Sequence, residues 1–493
     1  MNPALKRVLN GFLFTNLIIV PAVAQSIAAN NAPRVFPASF AVATSGPAST
    51  GKSWITVVDA TGDSISSEQP LVSSTSLGFA IDGTGTFGES IGTDNSLNYF
   101  QANSSLAPNT VGVNNLPAGG CTSNVTLPAN QLYTLDITNN AINMGSATGT
   151  PGAYGIAQDG LTGMTPVAMT GGLVAGTTEQ RYAIVSQGVP YGVACNNIPT
   201  QVTQTGSVTF FEPATGPISG GSISTGKCPV YGVTSSNGQR SFIVNRGDDS
   251  ITVLNMVGAS LDQVIALPLL GGAHAGPVYA EYVPTRGKLL VANYDNDTVS
   301  VINVQTDSKG ADGPSFGTVV ATVDLWNGAA HMCPVPNTSQ SVPCSRRPAA
   351  IAALPDGSRA YIADQGTGAI DVLDLRVNQV VSTLAIPTGG HPRSLAVVAN
   401  SSTNSLFSRV YVATPDSNVI PYIYAGDNLL FDTACADGGL CTASGNVSDL
   451  HVSTSTPTAG TANNTYTTRL PGAGQPCYQP NFTPQNLAAC FTH

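Results

Sequence analysis

Between residues 181 and 420 the chain repeats one phrase of apolar and polar positions. A short run rich in Val, Ile and Leu meets a polar turn of Asn, Asp, Gly or Ser, and a second apolar run follows. It reads Ser241–Leu254, Lys288–Ile302, Arg359–Leu373 and Arg409–Ile420. A looser copy starts at Arg181–Gln187 and resumes, after an insertion, at Ser207–Phe211. Short β-branched runs bounded by turn residues are hairpin signals. A further strand of small residues, usually led by proline, precedes most hairpins. Pro348–Gly357 shows it most clearly; Pro151–Gly160, Pro229–Gly238, Pro277–Val283, Pro392–Val398 and Leu77–Gly83 are the others. Fourth strands follow at Thr318–Asp324 and Gln379–Ala385. The unit is a four-stranded antiparallel meander of about 44 to 50 residues, the size of a propeller blade.

Small residues suit innermost strands, which crowd around a central axis at interior packing density. Inner strands fall near residues 77, 151, 229, 277, 348 and 392. The N-terminal strands Phe40–Thr44, Trp54–Asp59 and Pro70–Val72 have no inner strand before them, and Asp449–Thr454 fills that place. The pattern therefore predicts an all-β fold, a seven-bladed β-propeller whose first blade is closed by N- and C-terminal strands. Closure of this kind removes open sheet edges. Three inserts, at 101–130, 188–205 and 325–347, interrupt the repeat, and long ordered loops commonly carry function.

Lys288–Asn293 with Val299–Ile302, Ala360–Asp364 with Ile370–Leu373, and the linker Thr383–Pro392 resemble the YVTN-type propeller repeat family, which includes lactonase-like members. The resemblance covers about 227–425 and implies the fold. It places no catalytic set, because the motif is structural and one fold hosts many functions.

The first residues read as a targeting segment. Lys6 and Arg7 precede a largely apolar stretch, Val8–Val23, and Ala22-Val-Ala24 is a small-residue cleavage site. The expected organisation is a signal peptide at 1–24, a propeller at 25–454 and an irregular, disulfide-stapled tail at 455–493. Export places the chain in the periplasm or outside the cell. No later apolar run reaches the length that spans a bilayer. Without Lys6 and Arg7, 16 basic residues face 28 acidic ones, a formal charge of −12. An acidic chain without a basic run is a poor partner for nucleic acid.

Export permits disulfides among the nine cysteines. Spacing suggests Cys333 with Cys344, Cys435 with Cys441, Cys477 with Cys490 and Cys195 with Cys228, leaving Cys121 over. No Cys-x-x-Cys supports a zinc or thioredoxin-like site.

Three familiar motifs fail on context. Gly46–Ser53 fits a phosphate loop and Gly83–Gly88 a dinucleotide fingerprint, yet both need a following helix and meet strands. Gly88–Gly92 fits a nucleophile elbow but puts Ser90 inside a strand. The carboxylates of Asp248-Asp249 and Asp295-Asn-Asp297 read as turn chemistry, since calcium needs about six or seven oxygens.

The fold offers one candidate site. The residues preceding the inner strands should ring one mouth of the channel, and they include Lys227, His274, Arg346, Arg347 and His391, with Arg393 just inside. A cationic mouth would focus field on an anionic or carbonyl-bearing ligand. The leading expectation is an exported binding or scaffold protein taking a protein partner or small ligand there, with no cofactor and no metal. A lactonase-like hydrolase of small cyclic esters, with His274 or His391 as base and Arg347 polarising a carbonyl, is the alternative. A cofactor-dependent dehydrogenase is the third class.

Overall fold

A computed structural model describes strand segments between Phe40 and Gly155 and most of residues 164–453, apart from short gaps and the longer stretches 190–203, 399–406 and 434–441. Among the described residues the chain forms eight four-stranded antiparallel sheets and one two-stranded hairpin. No described helix is long and apolar enough to cross a membrane.

The innermost strands are, in ring order, Val447–Ser453, Ser76–Ile81, Thr122–Thr126, Pro166–Leu173, Pro229–Thr234, Pro277–Val283, Pro348–Ala353 and Ser394–Val398. Each touches the next, and the last returns to the first, so the sheets close a ring. We number the blades one to eight in that order. This β-propeller has one blade more than the seven expected. The miscount arose at Pro151: Gly152–Gly155 is the outermost strand of blade 3, and the inner strands lie at Thr122–Thr126 and Pro166–Leu173. The insert expected at 101–130 therefore contains two strands, Asn109–Asn115 and Thr122–Thr126.

A recurring irregularity confirms the equivalence. The register slips by one residue after the first position of six inner strands, at Ser76/Gly78, Thr122/Asn124, Pro166/Ala168, Pro229/Tyr231, Pro277/Tyr279 and Pro348/Ala350. Outer strands slip too, opposite Tyr99/Phe100, Val253/Leu254, Val301/Ile302 and Val372/Leu373. A bulge on an exposed edge twists it away from foreign strands.

Closure follows the expected plan. Val447–Ser453 pairs antiparallel with Phe40–Ser45 and supplies the inner strand of blade 1. The fourth strand there is Ser64–Ile65; the expected Pro70–Val72 lies outside the described residues. The signal segment, the 455–493 tail, and Cys121, Cys195, Cys435, Cys441, Cys477 and Cys490 also lie outside them.

The core is a series of layers between blades. Phe242, Val253 and Ile251 of blade 5 pack with Leu289, Val291 and Ile302 of blade 6. Leu290 and Val299 of blade 6 meet Ile351 and Ile362 of blade 7, and Tyr361 and Val372 meet Val410 and Ile423 of blade 8. Each side chain of this kind, fully buried, contributes roughly 1.5–3 kcal/mol. The middle strands read as continuous apolar runs because both faces of a blade are covered.

The Arg-x-Tyr beginning of the second strands has its own physical reason. Arg359 donates to the Ala425 carbonyl at 2.6 Å, and Tyr361 donates to Asn428 at 2.9 Å, both in the next blade. Arg181 likewise reaches the Met256 and Val257 carbonyls at 2.6 Å. In blade 8 the same pair performs the closure: Arg409 Nε donates to both Asp63 oxygens at 3.0–3.1 Å, and Tyr411 donates to Asp63 at 2.7 Å. A buried ion pair thus ties the last blade to the N-terminal strands.

Candidate ligand-binding face

In an antiparallel meander, the connection into the first strand and the turn between strands two and three lie at the same end. The candidate residues preceding the inner strands therefore share one face with the turns 245–250, 293–298 and 364–369.

The entry to the inner strand is built alike in four blades. Thr165, Cys228, Gly276 and Arg347, each followed by proline, have φ of 57°, 49°, 55° and 52°. Proline closes the right-handed helical region to its predecessor. These residues turn the chain through the left-handed region, at about 1–2 kcal/mol for a non-glycine residue. Backbone hydrogen bonds from the neighbouring turn hold them: Gln187 to Thr165, Arg246 to Cys228, Tyr294 to Gly276 and Gln365 to Arg347.

The turn aspartates then bind the following blade. Asp249, in blade 5, accepts from Gly276 N at 2.8 Å and sits 2.8 Å from His274 Nδ1. Its equivalent in blade 6, Asp297, is almost fully buried and holds both ends of the 325–347 insert. It accepts from Arg347 N at 3.0 Å, Ser345 Oγ at 2.6 Å and Trp326 Nε1 at 2.8 Å, and His331 Nδ1 lies 3.6 Å away. A reading of these carboxylates as turn chemistry misses their reach across the blade boundary.

The insert is ordered further by the expected Cys333–Cys344 disulfide, which staples the Met332–Pro334 and Ser341–Pro343 hairpin. Cys228 is also disulfide-bonded. The His331 ring stacks on Trp326 at 4.9 Å, and the Arg346 guanidinium lies 4.7 Å from the Trp326 centroid. Beneath, Arg346 Nη1 reaches Asp364 at 3.1 Å and Asp371 at 3.3 Å.

That acidic pair departs from the repeat. Blades 5 and 6 carry neutral buried sets at these positions, Asn245 with Ser250 and Thr252, and Asn293 with Thr298 and Ser300. Blade 7 has Asp364 and Asp371 instead. Burial, and then the adjacent Asp371 carboxylate, push Asp364 well above the usual carboxylate range, with Arg346 opposing. Burial also raises Asp371, against hydrogen bonds from Asp364 and Thr383 and the charge of Arg346. Burial thus holds both carboxyl groups toward their protonated forms, against the one guanidinium that faces them.

Arg246, invisible as special in sequence, is fully buried. It donates to Gly276 O at 2.7 Å and makes a bidentate pair with Asp295 at 2.9–3.0 Å. Its guanidinium lies 5.3 Å from the Tyr294 ring and that of Arg347 5.8 Å. Contacts therefore run without a break from His274 through Asp249, Gly276, Arg246 and Tyr294 to Arg347, Asp297, Trp326 and Arg346.

Of the six candidates, His274, Arg346 and Arg347 belong to this chain of contacts. Lys227 lies beside it, its backbone N donating to Asp248 at 3.0 Å. His391 forms a separate pair, Nδ1 to Asp416 at 2.5 Å with its backbone N to the same carboxylate at 2.9 Å. Burial works against the Asp416 charge, but the His391 hydrogen bonds outweigh it and hold Asp416 below its usual range. Arg393 is fixed by its backbone N to Ala413 O at 3.0 Å. His274, His331 and His391 thus all turn Nδ1 to an aspartate and remain about half exposed. Among the described residues no group of three or more His, Cys, Asp or Glu gathers with metal-binding geometry.

Solved structures share this architecture. Apo AztD from Citrobacter koseri aligns over 84% of this chain and 97% of its own, with TM-score 0.51 and 9% identity. A second AztD crystal structure from the same organism gives TM-score 0.50 over the same shares, also at 9% identity. A protein from Lactobacillus plantarum aligns over 84% of this chain and 98% of its own, at 12% identity and TM-score 0.47. At such identities the likeness shows the β-propeller fold alone. No family model and no curated protein matches the sequence.

Proposed function

We propose that this chain is an exported, YVTN-like propeller that binds a partner or small ligand on the face formed by the turns and entry loops of blades 5 to 8. One observation carries the reading. The 325–347 insert is fixed by a disulfide and by Asp297, yet it turns His331 and Arg347 to solvent. Packing alone gives no reason to order a loop so firmly and leave its polar side chains outside. Long ordered loops on a rigid scaffold are where binding residues concentrate. The test is a thermal-shift screen of small carboxylates, amides, lactones and sugars against wild type and His331→Ala. A stabilising compound whose effect is lost in the variant supports the reading. Stabilisation that survives the variant moves the site elsewhere.

The aspartate–histidine pairs favour a second reading, hydrolysis of a small cyclic ester. An Nδ1-bound carboxylate orients the ring and leaves Nε2 to act as base. Proton release from lactones, followed by pH-stat, should fall at least tenfold in His274→Ala or His391→Ala. Absence of turnover on every lactone tried counts against it.

A further inference from the structure

Asp297 is a buried carboxylate with which no described lysine or arginine side chain pairs. Its hydrogen-bond donors, Arg347 N, Ser345 Oγ and Trp326 Nε1, are all uncharged. The two nearby guanidiniums are engaged elsewhere: Arg346 with Asp364 and Asp371, Arg347 with the Tyr294 side chain. A buried charge without a partner is costly. Among the described residues, the group placed to supply a positive charge is His331. Its Nδ1 lies 3.6 Å from Asp297 Oδ2, the same oxygen that accepts from Trp326.

Two features make this contact responsive rather than fixed. The first is its length. His274 and His391 sit 2.8 and 2.5 Å from their aspartates, within hydrogen-bond reach, whereas His331 at 3.6 Å has not closed. The second is its position. The His331 ring is about half exposed and Asp297 is buried, so a proton reaches the imidazole from solvent without unfolding. His331 also stands at the base of the stapled hairpin: its carbonyl accepts from Cys344 N at 3.2 Å, and the strand Met332–Pro334 follows directly. The other charged groups around it are Arg346, over the Trp326 ring, and Asp324, which accepts from Trp326 N at 3.0 Å and Gly328 N at 2.9 Å. The charge of Arg346 is offset by Asp364 and Asp371.

We propose that His331 is a pH-sensitive clasp: gaining a proton draws its imidazolium onto Asp297 and fastens the base of the stapled hairpin to the blade 6 turn. Imidazole is the side chain whose charge changes near neutral pH. A charge-assisted N–H···O bond is shorter and stronger than a neutral contact. The ion pair exists only in the protonated form, so the clasp closes as pH falls and opens as pH rises. No ligand takes part, so the inference stands or falls separately from the binding reading.

In the full chain carrying Trp54→Phe, Trp326 is the sole indole. Its emission, and hydrogen exchange at the amides of Met332, Cys333 and Cys344, are followed from about pH 8 to about pH 5, across the imidazole range. Exchange rates are corrected for their intrinsic pH dependence. The His331 ring stacks on Trp326 at 4.9 Å, so its imidazolium should quench the emission along a one-proton curve. Protection of the three amides should rise along the same curve by about tenfold, as for one charge-assisted bond. His331→Phe keeps an aromatic ring against Trp326 but carries no proton, and its protection should stay flat. Protection independent of pH in the parent, or a rise that persists in His331→Phe, overturns the clasp. Emission that titrates while protection stays flat overturns it too, because the proton then only quenches the indole.

Discussion

Glu281 offers the sharpest quantitative test of how the ring is built. It lies on the inner strand of blade 6, where its carboxyl group accepts from the backbone of Ala353 on the next inner strand and bonds Tyr279. Enough protein surrounds it that burial pushes its pKa from 4.5 up to about 8, despite those two hydrogen bonds. At pH 7 the folded chain therefore holds a proton that the unfolded chain has released. The sign follows directly: the folded state binds more protons, so stability falls as pH rises from about 4.5 to about 8. The gap between pH 7 and 4.5 amounts to about 3 kcal/mol, an upper bound because the side chain keeps some contact with solvent. Glu281→Gln keeps the shape and the acceptor for Ala353 but cannot ionise. It should raise stability at pH 7 by up to about 3 kcal/mol and change it little at pH 4.5. With a urea slope of about 3 kcal/mol/M, the midpoint moves by up to about 1 M at pH 7. Urea unfolding of wild type and variant at pH 4.5, 6, 7 and 8 measures this. A constant difference across the series, or a variant less stable at pH 7 than wild type, would refute the reasoning.

Other perturbations probe the remaining joints. Asp63→Ala leaves Arg409 and Tyr411 without their buried acceptor and should destabilise the ring closure by about 3 kcal/mol in urea unfolding. Asp297→Asn puts an amide where Arg347 N, Ser345 and Trp326 all donate; loss of one buried bond, about 1–3 kcal/mol, should loosen the insert and shift Trp326 emission. Asp364→Asn removes an acid whose pKa is raised by burial, so the variant should gain relative stability as pH rises above 4, read by the same unfolding series.

Much of the architecture was legible in the sequence. The apolar–turn–apolar phrase gave the hairpins, small residues marked inner strands, and the closing strand at 447–453 followed from the orphan N-terminal strands. The blade count failed where the repeat is weakest. Pro151-Gly-Ala-Tyr mimics an inner-strand start, whereas Thr122–Thr126 lacks both the proline and the alanines that identify such strands elsewhere. Context also disposed correctly of the elbow motif, since Ser90 pairs within a sheet, opposite Phe79 and Asn98. For the site, position in the repeat found Arg346, Arg347 and His274 but said nothing of what holds them. Asp249 and Asp297 look like ordinary turn residues in sequence; their reach depends on the adjoining blade. Arg246 and Tyr294 likewise become distinctive only when two turns meet. The substitution of Asp364 and Asp371 for neutral residues was visible by aligning the repeats, and is the signal that a closer comparison of blades could have used.

The central claim is that Arg347 and the insert around Trp326 form a ligand face. The chain has two tryptophans, so Trp54→Phe leaves Trp326 as the only indole reporter. The measurement is its emission during titration of a compound that stabilises the chain in the thermal-shift screen, with and without His331→Ala. The account predicts a saturable shift that follows the calorimetric isotherm and disappears with His331→Ala. Calorimetric binding with unchanged Trp326 emission would contradict it and place the ligand elsewhere on the ring.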